Sequence, residues 1–292
     1  MDGQEPGRLT RIESDVLSVT VSDLGAEMQS LTKEGEEYLW QGDPAWWSGR
    51  SPILFPIVGK APGDRVTLDG KGGEMRQHGF ARRMVFDRVR AEPGRVMHSL
   101  TDTVETHAAY PRPFALSVTH AVSGPTLNVS ALVANPGRAP LPFGLGFHPA
   151  FLWPLPGAQG KDHSITLANR GEPALARLRD GLMTDTRLPS PFTAGKLRLD
   201  PAQFEADAMI FPEGAGTALR YGAEGGPRLE FEFEGLPNLA LWQKPGAPYI
   251  CIEPWHGMAA QDGAGTEIAE RPGSLILAPG KTARFRWSVT LA

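Results

Sequence analysis

The chain has 292 residues, of which 41% are hydrophobic and 21% charged, and its formal net charge at pH 7 is −4. This composition provides enough apolar material for a core, and a weak negative charge with no Lys/Arg block argues against a nucleic-acid partner. With a single cysteine, no apolar signal core near the start and no run of about 18 apolar residues, we expect a soluble, cytoplasmic protein without an internal disulfide and without a membrane partner.

Short strands are predicted along the whole chain. Apolar and polar residues alternate at residues 16–21, 229–233 and 283–289, which predicts half-buried strands. Two alternating runs between residues 114 and 133 flank Ser-Gly-Pro, which predicts a β-hairpin. No apolar stripe of helical period persists for three turns. We therefore expect an all-β, mostly antiparallel multi-sheet sandwich that forms one domain over residues 1–292.

Two segments in the first third of the chain carry residues that packing alone does not require. Residues 49–59 (GRSPILFPIVG) form an apolar run with Arg50 at its head, which fits either an edge strand with a solvated arginine or a guanidinium aimed at sugar hydroxyls. In residues 77–82 (QHGFAR), Gly79 allows a sharp turn that leaves the His78 imidazole uncovered. A structural role for His78 is the alternative.

Two later segments contain the strongest candidates for acid–base chemistry. His148 lies among aromatic residues in FGLGFHPAF, where rigid and partly desolvated surroundings would lower its pKa. Glu253 lies in the apolar run YICIEPWHG, where burial beside an indole would raise the carboxyl pKa. A salt bridge from Glu253 to Arg50 or Arg82 is the alternative. Asp207 precedes an apolar strand, a position that also suits a turn or cap.

The remaining histidines have neighbours that suggest no chemistry. These histidines lie in polar or alternating sequence contexts without partner residues: His98, His107, His120, His163 and His256. Of these, only His256 has neighbours of interest.

In chain order, the blocks GRSPILFPIVGK, QHGFAR, FGLGFHPAF, DAMIF and CIEPWHG resemble the aldose 1-epimerase (galactose mutarotase-like) superfamily, most closely its LacX-type branch. The resemblance extends over nearly the whole chain. It implies a galactose mutarotase-like β-supersandwich with a shallow sugar site on one face, and a mutarotase that needs no metal or other cofactor. The implied partner is a small-molecule hexose or hexose phosphate. We expect a monomer or a homodimer.

The resemblance also implies roles for individual residues. Glu253 corresponds to the catalytic glutamate, His78 and His148 to the two histidines, and Arg50 to the substrate-binding arginine. Asp207 is a less secure match. Interconversion of anomers requires a base at the C1 hydroxyl and an acid at the ring oxygen. We assign these roles to Glu253 and His148, with His78 and Arg50 stabilising charge at the ring oxygen.

Two alternatives change the substrate or remove the chemistry. Arg82 and Arg83, beside the His78 block, could supply charge for a hexose 6-phosphate. A sugar-binding protein without catalysis would use tryptophans as stacking platforms, among them Trp153, Trp242 and Trp255. The presence of both an acid and a base argues against a pure binder.

Two further alternatives change the reaction. His78, His148 and Glu253 could form a two-histidine, one-carboxylate metal site. Asp207 and Glu253 could form the carboxylate pair of a glycosidase.

Overall fold

The computed structural model describes residues 7–292. Residues 1–6, which begin both the predicted domain and the segment without a signal core, lie outside the described residues. The strands are β1 (Leu9–Glu13), β2 (Leu17–Ser22), β3 (Met28–Lys33), β4 (Glu36–Glu37), β5 (Ile53–Leu54), β6 (Arg65–Leu68), β7 (Lys71–Glu74), β8 (Asp87–Glu92), β9 (Arg95–Thr101), β10 (Ala115–Ser123), β11 (Thr126–Ala134), β12 (Leu141–Phe143), β13 (Leu145–Phe147), β14 (Ala150–Leu152), β15 (His163–Leu167), β16 (Leu178–Arg179), β17 (Leu182–Met183), β18 (Lys196–Arg198), β19 (Met209–Phe211), β20 (Ala218–Ala223), β21 (Arg228–Glu234), β22 (Asn238–Trp242), β23 (Tyr249–His256), β24 (Leu275–Leu277) and β25 (Thr282–Leu291).

Helical structure is confined to short segments. One α-helix, α1, spans Val104–Ala109, and 3-10 turns span Pro62–Asp64, Ala81–Arg83, Pro201–Phe204 and Ile268–Glu270. A reciprocal cap between Thr103 and Thr106 begins the α-helix. No helix within residues 7–292 is long and apolar enough to span a membrane.

Two large sheets dominate the fold. A nine-stranded sheet runs in the order β18-β15-β20-β21-β25-β11-β10-β9-β8, and a six-stranded sheet contains β19-β22-β23-β13-β5 with β14 also paired to β23. A four-stranded sheet (β1-β2-β3-β4) and three two-stranded pairs complete the set. Within the described residues, all pairings between these strands are antiparallel. The all-β, mostly antiparallel prediction is confirmed.

The predicted hairpin is one of the two longest strand pairs of the nine-stranded sheet, each with nine paired residues. β10 and β11 pair from Ala115↔Ala134 to Ser123↔Thr126, with Gly124-Pro125 between them. The alternating pattern works here because one face of each strand is buried in the core and the other is more exposed. Strands β2, β21 and β25 confirm the other three alternating runs.

The main core fills the space between the two large sheets. Aromatic side chains from the six-stranded layer meet those of the nine-stranded layer, with ring centroids 5.2 Å apart for Phe151 and Phe231 and 6.2 Å apart for Phe147 and Trp287. Such aromatic contacts bury large apolar areas and so stabilise the layer packing.

Alternation along β23 separates the core from a second face. Ile250 and Ile252 belong to the main core, whereas Cys251 and Trp255 belong to smaller apolar clusters. Because successive side chains of a strand point to opposite faces, Glu253 shares the face of Cys251 and Trp255. The six-stranded sheet therefore packs one face on the core and carries Glu253 on the other.

Several histidines have partners that the sequence did not reveal. His98 Nε2 lies 3.0 Å from an Asp23 oxygen, His107 Nε2 lies 2.8 Å from Asp102, and His163 Nε2 accepts a hydrogen bond from the Leu155 amide. The expectation of no partners was wrong for these three and for His256, whose Nδ1 lies 3.0 Å from the Gly235 carbonyl oxygen. The partners of His98 and His163 come from other strands or loops, which local sequence context does not show.

Candidate active site

A cavity of about 390 Å³ opens on the outer face of the six-stranded sheet. This volume lies within the range of small-molecule sites, roughly 300–1,000 Å³. Six of the seven residues predicted for the site line it: His78, Arg82, His148, Asp207, Trp242 and Glu253.

His148 and Glu253 are buried residues that line this cavity. His148 follows β13, and its amide donates to the Pro52 carbonyl, which fixes the backbone beside β5. Its Nε2 is 3.2 Å from Oε2 of Glu253 on β23, and both side chains are buried. This contact is an ion-pair distance without hydrogen-bond geometry, and within the described residues neither Nδ1 of His148 nor Oε2 of Glu253 makes a hydrogen bond. Buried polar atoms without partners are uncommon, so this pair has unused hydrogen-bonding capacity.

The surroundings move both pKa values towards the uncharged forms. Burial, and then the Arg82 guanidinium, lower the pKa of His148 to about 3. Burial, and then the Asp207 carboxylate, raise the pKa of Glu253 well above its ordinary value, while Arg82 and the Trp255 side chain oppose the rise. Transfer of one proton from the Glu253 carboxylic acid to the neutral His148 imidazole, over 3.2 Å, gives a carboxylate and an imidazolium. The pair is therefore suited to exchanging protons with a ligand.

His78 approaches the same pair from the neighbouring turn. Its ring centroid is 5.5 Å from that of His148, with the two rings nearly perpendicular. His78 and Gly79 both have positive φ, +67° and +72°, and a Cβ on residue 79 would lie 2.2 Å from the Phe55 carbonyl oxygen. Glycine after the histidine is thus required for the turn that places His78 in the cavity lining. Burial and the nearby His148 ring hold the pKa of His78 well below its usual value.

Arg82 brings the positive charge into the cavity, and Arg50 does not. Arg82 lies in the 3-10 turn after Gly79 and lines the cavity. Burial lowers the pKa of its guanidinium, while the Glu27 and Glu253 carboxylates raise it. The structure does not place Arg50 among the lining residues. Its Nη1 donates to the Gln29 carbonyl at 2.7 Å, and its amide donates to Glu27.

Asp207 lies at the rim of the cavity. It has a positive φ of +67°, and its Oδ1 accepts a hydrogen bond from the Ala208 amide. Asp207 therefore has the turn role predicted from sequence, and its exposed side chain also lines the cavity. The Arg177 guanidinium donates to the Asp207 carbonyl at 2.5 Å and supports this turn.

Aromatic rings form one wall of the cavity, and one of them was not predicted. Trp47 lies with its ring 4.9 Å from His148 and 5.5 Å from Trp242. It lies in a loop before β5 that has no periodic sequence pattern. The adjacent tryptophans Trp46 and Trp47 are the sequence signal by which this loop could have been noticed. Trp255 also lines the cavity. Trp153, by contrast, packs against Phe204 and is not among the lining residues.

The residues that could hold a metal ion in the structure differ from the predicted set of His78, His148 and Glu253. Within residues 7–292, the His148, Cys251 and Glu253 ligand atoms lie within 4.8 Å of one another, and His78 is not part of this group. Burial, and then the Glu253 carboxylate, raise the pKa of the Cys251 thiol well above its usual value. Since metals bind the thiolate, this environment disfavours Cys251 as a ligand.

The two-layer antiparallel sandwich and the buried imidazole–carboxylate pair on its outer face define a protein of the galactose mutarotase-like fold. The chain belongs to the aldose 1-epimerase family, whose model matches residues 8–189. It is 29% identical to the chromosomal LacX protein of Lactococcus lactis subsp. lactis over 298 aligned positions, covering 96% of this chain and 98% of that protein.

Solved structures give the same result. A galactose mutarotase related enzyme from Lactobacillus acidophilus matches with a TM-score of 0.92 and 29% identity, covering 98% of this chain and 97% of the other. A galactose mutarotase-like protein from Lactobacillus casei matches with a TM-score of 0.90 and 26% identity, covering 98% and 100%. The predicted superfamily and LacX-type branch are confirmed.

Proposed function

We propose that the chain is an aldose 1-epimerase that interconverts the α and β anomers of a hexose by acid–base ring opening. The observation that supports this most directly is the buried His148–Glu253 pair, 3.2 Å apart, in a cavity of small-molecule size. Membership of a family that acts on sugars agrees with it.

The geometry of a pyranose suits such a pair. The anomeric hydroxyl oxygen and the ring oxygen are bonded to the same carbon, so two groups in near contact can reach both of them from one side. Glu253 as carboxylate accepts the proton of the C1 hydroxyl, while His148 as imidazolium gives a proton to the ring oxygen. The C1–ring oxygen bond breaks, the aldehyde rotates, and the reverse steps close the ring on its other face.

Neighbouring groups have supporting roles in this proposal. His78 stabilises charge on the ring oxygen, as first assigned, and Arg82 takes the place first given to Arg50 because its guanidinium lines the cavity. Trp47 and Trp242 offer faces on which a sugar ring can stack. Asp207 at the rim can accept hydrogen bonds from sugar hydroxyls.

A hexose 6-phosphate is the alternative substrate, and the charges beside the cavity bear on it. An adjoining depression contains the cations Lys60, Arg76 and Arg83, but it also contains three carboxylates, those of Asp64, Asp180 and Asp207. Three positive and three negative groups cancel, which does not favour a dianionic phosphate. A neutral hexose is the substrate we propose.

Polarimetry on freshly dissolved α-glucose, α-galactose and glucose 6-phosphate tests function and substrate together. We expect faster mutarotation of a neutral hexose with the wild-type protein, and a loss of roughly 10²–10⁴-fold with His148→Ala. His107→Ala, which alters a histidine outside the cavity, is the matched control. Binding of hexose without any acceleration would instead support the non-catalytic sugar binder, and release of reducing sugar from a glycoside would support a glycosidase.

A further inference from the structure

Arg271 is a buried cation held by main-chain carbonyls. It is 8% exposed, and its guanidinium donates to the carbonyl oxygens of Val58, Lys60 and Met258 at 2.7, 3.2 and 3.1 Å. Within the described residues, no carboxylate lies within ion-pairing distance of it. A buried charge without a counter-ion is costly. The three hydrogen bonds from Arg271 to main-chain carbonyls therefore suggest that this residue holds the backbone around it in a defined position.

Two of the three carbonyls belong to a segment that contacts His78, and the third belongs to a segment packed against it. Val58 and Lys60 flank Gly59, whose amide donates to Nδ1 of His78 at 3.1 Å. The Gly59 carbonyl in turn accepts from the His78 amide at 2.9 Å. Gly59 therefore holds both the ring and the backbone of His78.

Arg271 controls the direction of the Gly59 amide through the geometry of one peptide unit. The Val58 carbonyl and the Gly59 N–H belong to the same planar trans peptide, so they point in opposite directions. A bond of 2.7 Å from Arg271 to the Val58 oxygen thus turns the Gly59 N–H towards His78. Rotation of this peptide would break both bonds at once.

The position of Gly59 leaves little room for other arrangements. Its φ is +69°, and a Cβ there would lie 2.5 Å from the Ala259 Cβ. Met258, the third carbonyl held by Arg271, precedes Ala259. Arg271 therefore fixes both the segment that contacts His78 and the segment packed behind it.

A neutral imidazole that accepts at Nδ1 carries its proton on Nε2. We propose that Arg271 is a positioning residue that acts through the Gly59 amide to hold His78 in the Nε2–H tautomer, so that His78 presents a hydrogen-bond donor to the sugar. The part of this proposal that concerns the sugar rests on the proposed function, whereas the tautomer does not.

The Gln77 side-chain amide lies beside Nε2 of His78, and one of its two orientations is compatible with the Nε2–H tautomer. Its side-chain nitrogen is 3.3 Å from Nε2 of His78. A half-turn of the amide brings its oxygen there, which gives the Nε2–H an acceptor. A sugar oxygen that enters the cavity would replace it.

NMR of the complete protein with ¹⁵N-labelled histidine tests the tautomer directly. Two-bond correlations from the ring carbons' protons distinguish a protonated ring nitrogen from an unprotonated one, and loss of one spin system in His78→Gln assigns the signals. We expect wild-type His78 to show protonated Nε2 and unprotonated Nδ1 at pH 7.

Two substitutions of Arg271 then test its role. Arg271→Met removes all three carbonyl bonds, and we expect the Nδ1–H tautomer of His78 to appear. We expect kcat to fall roughly tenfold with KM little changed, short of the 10²–10³-fold cost of removing a positioned donor entirely. Arg271→Lys keeps the charge and can hold one carbonyl, so its tautomer ratio should be intermediate. If Arg271→Met does not fold, the lysine variant decides.

Arg112→Met is the matched control, because Arg112 also donates to main-chain carbonyls, those of Pro111 and Pro140, away from the cavity. It should lower stability without changing the His78 signals. Wild-type His78 protonated on Nδ1, or an unchanged tautomer in both folded Arg271 variants, would overturn the proposal. A correct tautomer in a protein without mutarotase activity would reject the proposed function and leave the positioning role intact.

Discussion

Replacing His120 with leucine should make the protein less sensitive to acid. His120 lies on β10 with its side chain in the core, and its Nδ1 has no hydrogen-bond partner within the described residues. Burial, and then the neighbouring His98, lower the pKa of His120 from 6.5 to about 3. Below pH 6.5 the unfolded chain therefore binds a proton at this residue that the folded protein does not bind until about pH 3.

This difference gives the size of the effect. Each pH unit below 6.5 costs about 1.4 kcal/mol of folding free energy, so at pH 5 the loss from His120 is about 2 kcal/mol. This part of the folding free energy is fully present above pH 6.5 and is lost progressively as the pH falls towards 3. Leucine cannot bind a proton and removes this part of the loss.

Urea unfolding followed by tryptophan fluorescence at pH 8 and pH 5 measures the effect. The difference in unfolding free energy between the two pH values should be smaller in His120→Leu than in wild type by about 2 kcal/mol. Val118→Ala, a non-titrating substitution on the same face of β10, should destabilise the protein equally at both pH values. The same pH difference in His120→Leu and wild type would refute the reasoning.

Three substitutions around the cavity have separate consequences for mutarotation. The proposed pair acts while it carries one proton, and the raised pKa of Glu253 sets the pH above which that proton is lost, so the rate should fall as the pH rises through this value. Asp207→Asn removes a charge that raises this pKa and should move the alkaline limb of the kcat/KM profile to lower pH. Arg82→Met removes a charge that lowers the same pKa and should move that limb to higher pH, so shifts of equal sign in the two variants would contradict the electrostatic account. Trp47→Ala removes an aromatic wall of the cavity, and KM should rise roughly two- to thirteenfold, the equivalent of about 0.5–1.5 kcal/mol of ring stacking. An unchanged KM would exclude Trp47 as a stacking surface.

The parts of the fold that follow local rules were predictable from the sequence. The hairpin of β10 and β11 has alternating strands and a turn between them, and each of these signals lies within about 20 residues. Glu253 was also identifiable, because a carboxylate in an apolar strand needs either a partner or a function. The structure places it in β23, on the face opposite the core.

The parts that depend on distant contacts were not predictable in the same way. Arg50 and Arg82 both lie within motifs that resemble the family, and only the three-dimensional arrangement shows that Arg82 lines the cavity while Arg50 binds the Gln29 carbonyl. Trp47 comes from an irregular loop, where no periodic pattern gives the direction of a side chain. The link from Arg271 to His78 joins residues almost 200 positions apart, through hydrogen bonds of the main chain that residue types do not specify.

The most direct test of acid–base catalysis at this site is the mutarotation rate of Glu253→Gln, measured by exchange NMR on galactose under conditions where sugar binding is also detected. Glutamine keeps the shape of the side chain but cannot accept the anomeric proton, so we predict a rate roughly 10²–10⁴-fold below wild type with binding retained. Glu232→Gln, on the exposed face of β21, should leave the rate unchanged. A Glu253→Gln protein that mutarotates galactose at the wild-type rate would contradict the account.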